Sequence, residues 1–109
     1  MNLDDKKVLV IGAGLAGSDA AMFLAENGVR VVLLECKTIE LNPAQKMKTF
    51  GELVCTNSLK SMSPETGHGL LKYEMDALGS IILKKGHEHA VPAGDALAVN
   101  REEFSQDLT

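Results

Sequence analysis

Three glycines, Gly12, Gly14 and Gly17, follow the apolar run Val8-Leu-Val-Ile11, and an acid, Glu35, ends the next apolar run, Arg30 to Leu34. This is G-x-G-x-x-G spacing with an acid at the expected distance, and each position has a chemical use. Gly12 permits a tight turn out of a strand, where a Cβ would clash. Gly14 lets the main chain approach a pyrophosphate, and Gly17 lets the following helix sit close to the sheet. With Ala13, Leu15 and Ala16 they form a turn into a helix N-terminus, whose unpaired N–H groups and positive dipole end suit phosphate. Glu35 can accept hydrogen bonds from ribose hydroxyls and would repel a 2′-phosphate. The chemistry indicated is binding of FAD or NAD(H), with NADP(H) disfavoured as the bound nucleotide.

Other reactive side chains are sparse. Cys55 stands in Glu52-Leu-Val-Cys-Thr-Asn-Ser-Leu-Lys60, and its residues alone leave two readings open. Flanking Leu53 and Val54 favour a small packed hydrophobe, whereas nearby lysines or a helix N-terminus would favour a reactive thiolate. Cys36 reads as structural. The two cysteines give neither metal-ligand spacing nor a disulfide framework, as in a reduced, cytoplasmic setting. His87-x-His89 has a metal-like spacing but lacks a third ligand and follows Lys84-Lys85-Gly86, so a solvated turn is expected and no metal. His68, between two glycines, is expected to be exposed.

The elements that must hold these residues are legible in part. Strand one spans about Lys7 to Ile11, after a polar lead-in from Met1 to Lys6. A helix from Leu15 to Asn27 carries Ala16, Ala20, Phe23 and Leu24 on its packed face, and strand two is continuously apolar. Cys36 to Gly51 reads as a loop, and its length suggests a functional one. Glu52 to Lys60 is read as opening a short helix, and Ser63-Pro64-Glu65 as a turn. Gly69 to Leu78 has helical periodicity at Leu71, Met75 and Leu78. Ser80 to Leu83 reads as a strand, Lys84-Lys85-Gly86 as a turn, and Ala90 to Val99 as extended chain bent at Pro92 to Asp95. Asn100 and Glu103 form a capping pair for a last helix opening at Arg101. That helix has no stop signal before Thr109, so residues 1–109 are expected to be the N-terminal portion of a cofactor-binding domain in a longer protein. The fold class is α/β, a Rossmann-like parallel sheet with helices.

Composition narrows the classes. The formal net charge of −4 gives no overall case for nucleic-acid binding. Between Lys37 and Lys60, however, four lysines face only Glu40 and Glu52, a local excess of positive charge. Lys6-Lys7 before an apolar run resembles a signal peptide, but Asp19 interrupts the run and the glycine spacing accounts for it. No apolar run approaches membrane-spanning length, so no membrane partner is expected.

Gly12-Ala-Gly-Leu-Ala-Gly-Ser-Asp-Ala-Ala21, Glu52-Leu-Val-Cys-Thr-Asn-Ser-Leu59, Gly69-Leu-Leu-Lys72, Val91-Pro-Ala-Gly94 and Ala96-Leu-Ala-Val99 together resemble the folate-dependent, flavin-containing tRNA uracil-5-methyltransferases, the TrmFO family. The Glu-Leu-Val-Cys block is far more specific than the glycine fingerprint. The resemblance implies a glutathione-reductase-type FAD-binding domain and transfer of a one-carbon unit from 5,10-methylenetetrahydrofolate to C5 of a uridine. Reducing equivalents would come through FAD from NAD(P)H. It also implies that the T-loop uridine of tRNA is the target, with ribosomal RNA as the alternative for a paralogue, and that Cys55 is the N-terminal functional cysteine. The same resemblance gives Arg101 a cofactor-facing role, where its place at a helix start also fits a surface cap. A fragment of an ordinary FAD or NAD oxidoreductase, without activity of its own, is the competing class. The chain departs from the family pattern at Cys36-Lys37-Thr38, Gln45, Asp95 and Asn100, which bears on the RNA target more than on FAD.

Overall fold

The computed structural model describes residues 6–109, so nearly all of the expected polar lead-in lies outside the described residues. Two short runs rich in Val and Leu form β1 (Lys7–Ile11) and β2 (Arg30–Leu34), as read from the sequence. They pair in parallel, in register from Lys7 opposite Arg30 to Ile11 opposite Leu34. Parallel neighbours need a crossover, and α1 (Leu15–Glu26) supplies it, its C-terminus closed by the Asn27 side-chain amide donating to the Phe23 carbonyl. The rotation of α1 differs from expectation. Ser18 and Ala21 are buried and Leu24 half-buried, while Ala16, Ala20 and Phe23 are exposed. Close seating of Gly17 on the glycine turn directs the row 17, 21, 24 inward and leaves the row 16, 20, 23 outside.

The second half is an α/β layer of its own. It contains β3 (Ser58–Ser61), α2 (Gly67–Ala77), α3 (Ile81–Glu88), β4 (Ala90–Val91), β5 (Ala96–Val99) and α4 (Arg101–Leu108). The three strands form an antiparallel sheet in the order β3-β5-β4. Helix α2 starts two residues before its expected start, capped by Thr66 Oγ1 accepting from the Gly69 N–H at 3.0 Å. The Lys72 ammonium, buried on α2, donates to the Ser61 and His68 carbonyls and so ties the helix to β3. Burial pulls its pKa down.

Two local readings are corrected. Glu52 to Asn57 is irregular chain rather than a helix start, and residues 58–61 pair with β5 instead. Ser80 to Leu83 is not a strand, nor is Lys84-Lys85-Gly86 a turn; Ser80 caps α3, which contains the rest of them. The cause is partly remote. Asp19, on α1, accepts from Ser80 Oγ at 2.8 Å and from the Ile81 N–H at 2.9 Å, so a carboxylate far away in sequence closes the N-terminus of α3. Periodicity in a run as short as Ile-Ile-Leu cannot reveal that.

The core sits beside the second layer. Ile82, Val99, Phe104 and Leu108 are buried together, with Leu15, Phe50, Leu53, Leu59 and Ile81 packed around them. Side chains alternate across β1 and β2, and the face carrying Leu9, Ile11, Val32 and Leu34 is exposed.

Candidate functional site

The site is built outward from Ala13, which is 1% exposed and hydrogen-bonded through both its main-chain groups. Its N–H donates to Glu35 Oε2 at 2.7 Å. Its carbonyl accepts from the Gly51 N–H at 2.8 Å and from Ser18 Oγ at 3.3 Å. One residue earlier, the Gly12 N–H donates to the Leu34 carbonyl, continuing the β1–β2 ladder into the turn. Gly12 has φ +98°, which only glycine adopts readily. A Cβ on Gly17 would overlap the Gly12 carbonyl oxygen, so this glycine is required by the close approach of helix and turn.

Gly14 is different in kind. It is the N-cap of α1 with an ordinary extended backbone, no side-chain cap bond, and open space where a Cβ would stand. The first intrahelical bond is Ser18 N–H to the Gly14 carbonyl, which leaves the first-turn donors of Leu15, Ala16 and Gly17 available. An uncapped helix N-terminus beside open space fits a pyrophosphate. Glu35 fits the nucleotide end. Its Oε1 accepts from the Lys37 N–H at 3.1 Å and from Cys36 Sγ at 3.4 Å. A carboxylate offers about four lone-pair sites, so one remains on Oε2 for a ribose hydroxyl. The hydrogen bond from Ala13, aided by those from Lys37 and Cys36, outweighs burial and holds the Glu35 carboxyl below the usual carboxylate range. The same contact pushes the Cys36 thiol up, so Cys36 serves as a donor to Glu35 rather than as a nucleophile.

Cys55 lies elsewhere on the same framework. It is exposed, in the bend before β3, and lines an open groove of about 600 Å³ with Thr56, Asn57, Val91, Val99, Asn100 and Arg101. The structure thus brings together Cys55 and Arg101, from opposite ends of the second layer. Asn100 caps α4 by accepting from the Glu103 N–H, as the sequence suggested. The Arg101 guanidinium donates to the Leu53 carbonyl at 3.3 Å, two residues before the cysteine.

Between the two halves of the site stands an ion pair that the sequence reading missed. Lys37 Nζ meets Glu52 Oε2 at 2.8 Å with the two side chains 5% and 6% exposed. Lys37 also donates to the Thr49 carbonyl at 2.9 Å, and Glu52 Oε1 accepts from the Lys46 and Met47 N–H groups. Burial raises the Glu52 carboxyl, but the Lys37 hydrogen bond, the Lys46 N–H and the Lys37 charge together leave it below the usual range. Lys37 is therefore no part of a basic surface. The only available signal was the presence of one lysine and one glutamate at either end of an aperiodic loop.

The histidines behave otherwise. His68 is exposed, as expected. His87 lies on α3 rather than in a turn, and His89 is the C-cap of that helix, bonded to Asp107 at 2.8 Å. Glu88, His89 and Asp107 could in principle ligate a cation, but the Lys85 ammonium already pairs with Glu88 at 2.8 Å and Asp107 at 3.1 Å. Among the described residues no helix is long and apolar enough to cross a membrane.

Residues 7–109 match the family model described as glucose inhibited division protein A. The chain is 54% identical over 102 residues to the methylenetetrahydrofolate–tRNA-(uracil-5-)-methyltransferase TrmFO of Prochlorococcus marinus strain MIT 9303, covering 94% of this chain and 22% of that protein. To the TrmFO of Fervidobacterium nodosum it is 51% identical over 105 residues, 96% of this chain and 24% of the relative. To that of Myxococcus xanthus strain DK1622 it is 52% identical over 104 residues, 95% and 23%. The chain thus spans about a quarter of the length of the curated relatives it matches. With its βαβ turn, uncapped helix and terminal acid in place, the chain belongs to the glucose inhibited division protein A family, within which it resembles the TrmFO enzymes.

Proposed function

We propose that this chain is the N-terminal part of the FAD-binding domain of a flavin- and folate-dependent tRNA uracil-5-methyltransferase, acting in the cytoplasm. The observation that carries the reading is identity of 51%, 52% and 54% to proteins named for that reaction, across a stretch that holds both the glycine turn and the Cys55 block. FAD, when bound, supplies the redox chemistry, with reducing equivalents from NAD(P)H and the carbon from 5,10-methylenetetrahydrofolate. Gly12, Ala13, Gly14, Leu15, Ala16 and Gly17 form the pyrophosphate cradle. Ala13 itself takes no phosphate contact through its N–H, because Glu35 holds it, and acts by fixing the turn. Glu35 keeps one acceptor for the ribose. Arg101 holds the Leu53 carbonyl on one side and lines the Cys55 groove, where its remaining guanidinium donors serve an anionic part of the cofactor.

On this reading Cys55 is the residue of this chain that does chemistry. An exposed thiol in an open groove can reach a bound cofactor or substrate and attack an electrophilic one-carbon centre; a packed cysteine cannot. The test is Cys55→Ser in the intact protein, measured as methyl incorporation into unmodified tRNA at matched flavin occupancy. The reading expects near-normal flavin content and transfer reduced about a hundredfold or more, the scale of losing a general acid–base group. Wild-type transfer would remove Cys55 from the reaction. Preferential methylation of ribosomal RNA would redirect the substrate while leaving the chemistry in place.

A further inference from the structure

Three consecutive residues upstream of Cys55 are each anchored to a different part of the molecule. The Gly51 N–H is bonded to the glycine turn through the Ala13 carbonyl. The Glu52 carboxylate is bonded to Lys37, two residues past Glu35, and to the Lys46 and Met47 N–H groups. The Leu53 carbonyl is bonded to Arg101 on α4. Of the three anchors, the first and third are single hydrogen bonds. The middle one is a buried ion pair supported by three bonds to main chain, and it joins the nucleotide acid's turn to the cysteine's own segment.

Resting on the reading of Cys55 given above, we infer that Glu52, held by Lys37, is a positioning residue that sets where Cys55 stands relative to the glycine turn. The argument is one of geometry and unequal cost. A buried pair of this kind is a poor source of net stability, since hydrophobic residues of similar volume do as well or better. What it provides is register. Lys37 must reach both the Thr49 carbonyl and Glu52, and Glu52 must meet two successive N–H groups, so any slide of the segment 46–53 leaves a charge buried and unpaired. The connection from Cys36 to Gly51 is long and aperiodic, and the pair fixes the chain where that connection ends, just ahead of Cys55. With the pair in place, the cysteine follows within three residues of a fixed point. The pair is buried, so its effect on the reaction runs through the segment it holds, which carries Cys55.

The test uses the intact protein with Glu52→Gln and with Asp19→Ala, a variant destabilised at a remote cap. The readouts are the rate of Cys55 alkylation by iodoacetamide, resolved by peptide mass spectrometry, and hydrogen exchange at the Lys46 and Met47 amides. With them go flavin content and kcat and KM for tRNA. For Glu52→Gln the expected result is a change of at least fivefold in Cys55 alkylation and loss of protection at both amides. Flavin content stays near normal and kcat falls tenfold or more with KM little changed. Asp19→Ala leaves Cys55 alkylation at the wild-type rate. Unchanged Cys55 alkylation in Glu52→Gln overturns the inference, as does an equal change in Asp19→Ala, which would mark it as general loosening. If Glu52→Gln does not fold, Glu52→Asp, one methylene shorter, is judged by the same readouts. Failure of the catalytic reading shows separately, as wild-type transfer by Cys55→Ser.

Discussion

Gly14 and Gly17 belong to one fingerprint, yet the structure assigns them opposite sensitivities, and replacing each by alanine separates them. At Gly14 the backbone is extended and no atom lies within 4 Å of an added Cβ, so the chain tolerates the methyl. The cost to folding is that of a poorer N-cap, below about 1 kcal/mol. On the proposed reading the methyl would stand instead in the space the pyrophosphate enters. Displacing one or two charge-assisted hydrogen bonds, each about 1.5–3 kcal/mol, weakens flavin binding by about tenfold to a thousandfold or more. At Gly17 the added Cβ overlaps the Gly12 carbonyl oxygen, and neither partner is a flexible side chain. The gain in helix propensity, about 1 kcal/mol, is outweighed by strain of about 3 kcal/mol or more as α1 is pushed off the turn. Denaturant melts of the flavin-free protein, paired with flavin fluorescence titrations, read the two effects separately. Gly14→Ala should melt near wild type and bind flavin poorly; Gly17→Ala should lose stability first. Tight flavin binding by Gly14→Ala would refute the placement of the pyrophosphate, and a wild-type melt for Gly17→Ala would refute the close-approach argument.

Asp19→Ala removes the remote cap of α3 and should lower stability by about 1–3 kcal/mol, with flavin affinity held within a few-fold; an unchanged melting curve would count against the cap. Acid sensitivity follows from Glu35 and Glu52, both held below the usual carboxylate range in the folded chain. Because an unfolded glutamate titrates near about 4.3, their contribution is complete above that pH and is lost as pH falls through the folded values. The thermal midpoint should therefore drop on the acid side, and Glu35→Gln should flatten that drop; an equally steep profile in the variant would show that other groups govern it.

The sequence carried the βαβ unit because its determinants are local: the glycine spacing, two β-branched runs and an acid at a fixed distance. The last helix was legible for the same reason, since Asn100 and Glu103 are three residues apart. What escaped was decided from afar. Helix α3 needs Asp19 from α1, and the extended course of residues 58–61 needs β5. The face that α1 buries depends on how closely Gly17 seats on Gly12, which period alone does not fix. At the candidate site the glycine turn and its terminal acid were legible, whereas the Lys37–Glu52 pair was not, because both are charged residues in an aperiodic loop. Such residues are ordinarily solvated.

The fully bonded state of Ala13 also has a kinetic side. Its N–H partner, Glu35, and one donor to its carbonyl, Ser18 Oγ, lie within the βαβ unit, but the second donor arrives only when Gly51 has been brought back past the connection from Cys36. Further along, Thr49 meets Ser105 and the Phe50 N–H meets Thr109, so the segment carrying Gly51 is itself held by α4. Loop-closure entropy makes such distant joins late events. Secondary structure in the first half can therefore form before the turn is complete. In a refolding experiment the helical signal should precede the ability to capture flavin, the delay being the time the glycine turn, the segment 49–51 and α4 need to find one another.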